Sequence, residues 1–167
     1  MTAEVNRLDE QLRRALEGKA WHGPSVLELL AGVSAAQAAG HPIAGAHSIW
    51  ELVLHLSSDY EVVLRRLAGD GRPLTAAEDW PTCPAPTEEN WQQTVRDLTR
   101  RNEELRRAVR AFPEERLDDL LVAASPYTAY TQFIGVTQHN LYHAGQIALL
   151  KRAFASATKA STTGEET

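Results

Sequence analysis

What this sequence of 167 residues lacks excludes several classes of protein. Its single cysteine, Cys83, cannot form an intramolecular disulfide and fits a reducing cytoplasm, which is the location we predict. No apolar run approaches the roughly 20 residues of a membrane-spanning helix, and the polar start of the chain lacks the apolar core of a signal peptide. Positive charge is not in excess, since the net charge is −5, and this argues against nucleic acid as a partner. We therefore expect neither a membrane nor a nucleic acid among its partners.

Patterns typical of β-strands are also scarce, because few stretches alternate between apolar and polar residues. The dominant spacing of apolar residues is helical, which predicts an all-α fold. The length suits one domain with a sizeable core, and we place that domain at residues 1–155. Residues 156–167 are small and polar, and we expect them to form a disordered tail.

Four long helices are predicted from the apolar spacing, from capping residues and from helix-breaking residues, at 3–18, 48–67, 87–113 and 127–152. Ser48 with Glu51 has the pattern of a capping box, and Thr87 is typical of a helix N-cap. Shorter helical pieces are expected at 25–30 and 34–39, and the four prolines of segment 70–86 predict a loop. Four helices of this length, joined by connections long enough to cross over, predict a four-helix bundle.

A pair of histidines, His139 and His143, lies within the apolar stripe of the last helix. Residues four apart share one face of a helix, so both imidazoles can bind one metal ion from the same side. The best candidate for a third ligand is His55, which lies midway along the second long helix. Three histidines with open coordination positions are typical of a catalytic metal site. The alternative is that the pair arises by chance and consists of ordinary core histidines.

The neighbours of these histidines suggest how a site would be supported. Glu51 and Asp59 lie one turn before and one turn after His55, where either carboxylate can hold the second ring nitrogen of a ligand histidine, or can simply face solvent. Gln146 lies about one turn after His143 and can also reach the site. Asn140 occupies the position that holds the general base in a zinc-protease HExxH motif, so that chemistry is excluded.

Other candidate residues receive a weaker interpretation. His22 and His47 are interpreted as structural or capping residues, although His22 can also line the mouth of a pocket. Cys83 has no basic neighbour in the sequence to lower its pKa, so we do not interpret it as a nucleophile. Three aromatic side chains can line a pocket or belong to the core, namely Trp80, Trp91 and Tyr142.

Two segments, AWHGPSVLELLAGVSAAQAAGHPIAGAHSIWELVLHL and TQHNLYHAGQIALLKRA, resemble the DinB/YfiT superfamily, and the resemblance extends over nearly the whole chain. It implies a four-helix bundle with crossover connections that binds a divalent metal ion, commonly zinc or nickel, through three histidines. Those ligand positions match His55, His139 and His143 here. The resemblance also implies a homodimer.

The function expected from the histidines and the resemblance is that of a metal-dependent enzyme acting on a small molecule. A divalent ion on neutral imidazoles lowers the pKa of a bound thiol or water, which provides a nucleophile near neutral pH. We favour a low-molecular-weight-thiol S-transferase, because a thiol needs less help from a general base than water does. The alternatives are a metal-dependent hydrolase and a non-catalytic metal-binding bundle with a role in stress response.

Overall fold

The structure, a computed structural model, describes the backbone of residues 3–18 and 20–163, and the side chains of those ranges as far as residue 156. Within these ranges the regular structure is helical, and the β-type pairs are two isolated bridges. The helices are α1 (Glu4–Leu16), α2 (Val26–Leu30), α3 (Ala35–Ala39), α4 (Ile49–Leu67), α5 (Ala76–Asp79), α6 (Glu88–Ala111) and α7 (Ala129–Thr163), with a 3₁₀ turn at Glu114–Arg116. The predicted all-α class is confirmed.

The starts of α4 and α6 are fixed by the caps that the sequence predicts. The N–H of Glu51 donates to Ser48 Oγ at 3.2 Å, and the N–H of Ser48 donates to Glu51 Oε2 at 2.6 Å. At α6, the N–H of Asn90 donates to Thr87 Oγ1 at 3.2 Å. These bonds satisfy amide groups that have no partner within a helix, so each helix begins where its cap lies.

The four long helices α1, α4, α6 and α7 form a bundle in which α4 packs on α6 and α7, and α1 packs on the same two helices. The consecutive long helices α1 and α4 therefore lie at opposite corners, and so do α6 and α7. Connections between opposite corners must cross the end of the bundle, as predicted. The short helices α2 and α3 belong to the first of these connections and also pack on the long helices.

Helices α4 and α6 are parallel neighbours. Trp50 Nε1 donates to Thr94 Oγ1 at 3.0 Å near the start of both helices, and Glu61 pairs with Arg101 further along both. A chain that leaves the end of one helix must return to the start of its parallel neighbour, a distance of about 28 Å for the 19 residues of α4. Segment 68–87 makes this return, and its helix α5 packs on α4.

Helix α5 corrects the prediction that segment 70–86 is entirely a loop. Thr75 and Glu78 form a capping box, because the N–H of Glu78 donates to Thr75 Oγ1 at 3.3 Å and the N–H of Thr75 donates to Glu78 Oε2 at 2.8 Å. The helix comprises only Ala76–Asp79, which is too short to show a period of apolar residues. It ends immediately before Trp80.

The core contains three fully buried aromatic side chains whose polar atoms have partners. Trp50 and Trp91 contact each other with ring centroids 5.2 Å apart, and Trp91 Nε1 donates to the Val33 carbonyl at 2.8 Å. Trp91 is therefore a core residue, one of the two alternatives open in the sequence. Tyr60 accepts a hydrogen bond of 2.6 Å from Asn140 Nδ2, and burial raises the pKa of its phenol well above the ordinary value.

Helix α7 continues past residue 155, where we expected the ordered domain to end, as far as Thr163. The segment FASATKA contains three alanines, which favour a helix. Residues 164–167 of the expected tail lie outside the described residues. The division of the chain at residue 155 stays a prediction.

Candidate metal centre

Helices α4 and α7 bring the three predicted histidines together. His139 Nε2 and His143 Nε2 are 2.8 Å apart, as expected for side chains one turn apart on the same helix face. The ring of His55 lies across from them, with its centroid 5.0 Å from each of the other two. One nitrogen of each imidazole lies within 4.8 Å of the others, so the three histidines form a cluster that can hold a metal ion.

Two of the imidazoles hold an oxygen acceptor with Nδ1. His55 Nδ1 lies 2.9 Å from the backbone carbonyl of Asp79, and His143 Nδ1 lies 2.7 Å from Gln146 Oε1. Since an oxygen acceptor requires an N–H donor, the ring proton of each neutral imidazole lies on Nδ1. Nε2 of both rings is then unprotonated and available as a ligand.

The third imidazole has an equivalent partner, because His139 Nδ1 is in close contact with the Asp59 carboxylate. The same carboxylate oxygen lies 4.0 Å from His55 Nε2. Asp59 is therefore placed both to fix the tautomer of His139 and to stand at the edge of the cluster. Together with Asp79 it also forms an overlapping group around His55 in which three ligand atoms lie within 4.8 Å of one another.

The donor set fits a divalent metal ion. With these tautomers, the lone pairs of His139 Nε2 and His143 Nε2 repel each other at 2.8 Å. A cation bound between the two nitrogens attracts both lone pairs and offsets that repulsion. Burial lowers the pKa of His143 below its ordinary value, and the nearby His139 and His55 rings lower it further. A lowered pKa keeps His143 in the neutral form that metals bind. Neutral imidazole ligands suit several divalent ions, zinc and nickel among them.

The cluster is open on one side. His55 and His143 are buried, at 7% and 4% exposure, whereas the side chain of His139 is 32% exposed. A cleft of about 330 Å³ between α4 and α7 includes His139 and Asp59 in its walls. A larger cleft of about 590 Å³ lies between α4, the α5 segment and α6 and has no histidine in its walls. Of these two clefts, only the smaller one reaches the cluster, at His139.

Segment 68–87 contributes an aromatic side chain, Trp80, for which the sequence left open a pocket or the core. The Trp80 ring lies parallel to His55, with centroids 4.0 Å apart and an angle of 6° between the planes. Its opposite face stacks on His47 at 3.7 Å, so Trp80 lies between two imidazoles. Tyr142, which is largely exposed, meets the edge of His143 at 5.0 Å. Trp80 and Tyr142 thus line the cluster, one of the two alternatives left open for them.

Asp79 was not identified from the sequence as a partner of His55, although a capping pattern in the sequence indicates the short helix that contains Asp79. The capping pattern Thr75-Ala-Ala-Glu78 predicts a helical turn that ends at Asp79. Its contact with His55 depends on how segment 68–87 returns along α4, and this path has no sequence signal of its own.

Glu51, the other predicted partner, lies at a different place. Its carboxylate accepts from the N–H of Ser48 and lies 3.6 Å from His47 Nδ1 and 3.9 Å from His41 Nε2. Among the described residues, none of the hydrogen bonds or ion pairs of Glu51 reaches the three histidines. The capping box holds Glu51 at the start of α4, one turn too early to meet Nδ1 of His55.

The remaining candidates lie outside the cluster. His22 is exposed and lines clefts on another face of α7, beside Leu141. Burial raises the pKa of the Cys83 thiol and the negative charge of Glu51 raises it further, which disfavours the thiolate. Asn140 is buried and donates to Tyr60, on the core side of α7.

The fold and the cluster together define an all-α bundle protein with a histidine site that can hold a metal ion. The chain belongs to the DinB superfamily, whose sequence model matches residues 20–147 and therefore includes all three histidines. No curated protein and no solved structure matches the sequence significantly. In the described part of the chain, each helix is too short or too polar to span a membrane.

Proposed function

We propose that this protein is a metal-dependent enzyme in which His55, His139 and His143 bind one divalent ion, zinc or nickel. The observation that supports this proposal is the arrangement of the imidazoles. Each holds an oxygen atom with Nδ1, the Nε2 atoms of His139 and His143 face each other at 2.8 Å, and the His55 ring centroid lies 5.0 Å from both other rings. Such partners fix the tautomer and the orientation of a ligand histidine and raise its basicity. The chemistry that the ion supplies when bound is a lowered pKa for a thiol or water at the open side of the site.

The reaction we propose is S-transfer from a low-molecular-weight thiol to a small electrophile. The thiol sulfur forms a bond with an electrophilic carbon, the leaving group departs with its bonding electron pair, and the thiol proton passes to solvent. This reaction needs less help from a general base than hydrolysis does, because the pKa of a free thiol is about 8.5, far below that of water. The carboxylate at the edge of the cluster, Asp59, is engaged by His139 Nδ1 and is poorly placed to accept a further proton.

Two alternatives each rest on the position of Asp59. In a metal-dependent hydrolase, Asp59 would serve as the general base for water, since its Oδ2 lies 4.0 Å from His55 Nε2. In a non-catalytic bundle for binding or stress response, Asp59 or Asp79 would become a fourth protein ligand and close the site. X-ray absorption on the metal-loaded protein distinguishes them by the number of histidine and carboxylate ligands.

The metal site is tested by measuring bound zinc and nickel in purified variants. His55→Ala and His143→Ala should each lose most of the metal that the wild-type chain binds, because two imidazoles hold an ion far more weakly than three. His22→Ala is the matched control, since His22 is an exposed histidine outside the cluster. Wild-type metal content in both cluster variants would refute the three-histidine site.

The activity is tested with monobromobimane as electrophile and with glutathione, cysteine, bacillithiol or mycothiol as thiol. The rate of conjugation should fall to background after chelation and return when zinc or nickel is added. Cleavage of ester or amide substrates without turnover of any thiol supports the hydrolase instead. A metal-loaded protein with neither activity and with four protein ligands supports the non-catalytic bundle.

We also propose that the protein works in the cytoplasm as a homodimer. The single cysteine supports the location, and the family resemblance supports the dimer. Light scattering coupled to size-exclusion chromatography measures the mass in solution, and a mass equal to that of one 18.4 kDa chain would exclude the dimer.

A further inference from the structure

The cleft of about 330 Å³ extends away from the histidines along α4 and α7. On α4 its wall runs from Asp59 to Arg66, and on α7 it runs from His139 back to Gln132. Seven positions along a helix correspond to about 10 Å, so the cleft connects the cluster with a second polar group at that distance. Its volume is near the lower limit of about 300 Å³ for pockets that hold small molecules.

The second polar group is the Arg66 guanidinium, which has no negatively charged partner among the described residues. Its Nη1 donates to Gln132 Oε1, a neutral acceptor, at 2.8 Å, and its Nε is buried without a hydrogen-bond partner. The adjacent Arg65 differs, because it pairs with both Asp70 and Glu78. A partly buried charge without a counter-charge is costly, so the position of Arg66 indicates an anionic ligand.

The shape and chemistry of the cleft narrow the ligand further. Aliphatic side chains line the wall between its two polar ends, including Val62, Val63 and Ile134. Arg66 Nε is buried, whereas Nη2 makes no hydrogen bond within the described residues and can donate to a carboxylate oxygen in the cleft. If the histidines bind a divalent ion as proposed, its charge adds to that of Arg66 and outweighs the single negative charge of Asp59, which further favours an anion in the cleft.

We infer that the small molecule bound by this protein is an organic acid whose carboxylate pairs with Arg66. Its apolar part fills the cleft between α4 and α7, and its reactive end lies at the histidine cluster. The assignment of the reactive end rests on the proposed function, whereas the pairing of the carboxylate with Arg66 does not.

The chain provides matched variants for both parts of this site. Arg66→Gln removes the unpaired charge, and Arg65→Gln makes the same change one residue earlier, on the wall of the larger cleft. Gly135 and Gly145 both lie on α7, and a Cβ added at either meets nothing within 4 Å. Gly135 lines the cleft of Arg66 and Gly145 lines a different one, so Gly135→Leu fills the proposed site and Gly145→Leu is its control.

The probes are 6-mercaptohexanoate and 6-mercapto-1-hexanol, which differ in their terminal group. Isothermal titration of the metal-loaded protein should show that the acid binds about tenfold more tightly than the alcohol, or better. Arg66→Gln should abolish this preference at unchanged metal content, and Arg65→Gln should keep it. Gly135→Leu should weaken the binding of both probes at least tenfold, and Gly145→Leu should have no effect on either.

Equal affinity of the wild-type protein for the two probes would overturn the inference, and so would a preference that survives in Arg66→Gln. Titration of hexanoate and 1-hexanol into the chelator-treated protein separates this result from a failure of the metal site. If the histidines bind no metal, a preference for hexanoate that depends on Arg66 still supports the carboxylate site. If the protein binds metal but binds hexanoate no more tightly than 1-hexanol, the carboxylate site fails and the metal site remains.

Discussion

A neutral imidazole has one proton and one lone pair, so the group that takes its proton decides which nitrogen can bind a metal ion. At this site the protein provides a different oxygen for each ring: a backbone carbonyl for His55, a carboxylate for His139 and a side-chain amide for His143. The charge of these partners differs, although their geometric role is the same. Two partners bring a negative charge, because the Asp79 carboxylate also lies 3.2 Å from His55 Nδ1. Asp59 contacts His139 and lies 4.0 Å from His55 Nε2, so it should have the larger effect on metal affinity.

Asp59→Asn tests that effect, because it keeps the shape of the side chain and removes its charge. Loss of the carboxylate behind His139 should weaken metal binding by about 10- to 100-fold, as is usual for the partner of a ligand histidine. Competition with a chromogenic chelator measures the affinity. Glu61→Gln is the control, since Glu61 is a carboxylate of the same helix that pairs with Arg101 on α6. Equal affinities in wild type and Asp59→Asn would show that Asp59 does not support the ligand.

A second residue-scale prediction concerns stability rather than metal binding. Tyr60→Phe removes the acceptor of Asn140 Nδ2 and leaves that buried amide without its partner. The free energy of unfolding should fall by about 1–3 kcal/mol, as measured by urea titration, while the metal content stays that of the wild type. Tyr142→Phe, at a largely exposed tyrosine, should change the stability by less than about 0.5 kcal/mol. A loss of metal in Tyr60→Phe would contradict the prediction that this core hydrogen bond supports stability and not metal binding.

Sequence patterns predict part of this site and not the rest. His139 and His143 are predictable because spacing along one helix determines their proximity, and Asp59 is predictable for the same reason relative to His55. Asp79 is not, because its carbonyl reaches His55 through the return path of a separate segment. Arg66 carries no motif either, and only the structure shows that its guanidinium lacks a charged partner.

At the scale of elements, the parallel packing of α4 and α6 explains why the site includes a loop residue. The return segment 68–87 runs along α4, and α5 brings Trp80 against His55 at the middle of that helix. The caps of α4 and α6 were predictable from local sequence, because a capping box or a simple N-cap involves only four consecutive residues. The parallel orientation depends on packing between distant segments, so it has no local signal.

Trp80→Ala should make metal exchange faster. Removing the indole uncovers one face of His55 and deletes a stacking contact of about 0.5–1.5 kcal/mol, so the ion should leave to an excess of chelator about 2- to 10-fold faster. Trp80→Phe keeps an aromatic ring and should lie between wild type and the alanine variant. Trp21→Ala is the control, because Trp21 is fully exposed and outside the cluster. An unchanged exchange rate in Trp80→Ala would mean that the stacked indole does not protect the site.

At the scale of the whole molecule, the metal site depends on the packed bundle, whereas the bundle does not depend on the metal site. The core extends over α1, α4, α6 and α7 and contains buried aromatic side chains that do not involve the histidines. The histidines connect only α4 with α7. The protein should therefore fold without metal, and a bound ion should add stability by cross-linking two helices that are already packed. The helical bundle was predictable from the apolar spacing, whereas the spacing does not predict which helix packs beside which.

Metal removal tests this relation. At a free ion concentration about 100 times the Kd, an ion that binds only the folded state adds about 2.7 kcal/mol, which raises the Tm of a chain of this size by about 5–10 °C. Calorimetry of the wild type, chelated and then metal-loaded, should show that increase, and His143→Ala should show none under the same conditions. A chelated wild type that is already unfolded would instead identify the ion as structural, which is the non-catalytic alternative. If the chelated and the metal-loaded wild type had the same Tm, preferential binding of the ion to the folded bundle would be excluded. An ion that prefers the folded state must raise the stability of the protein.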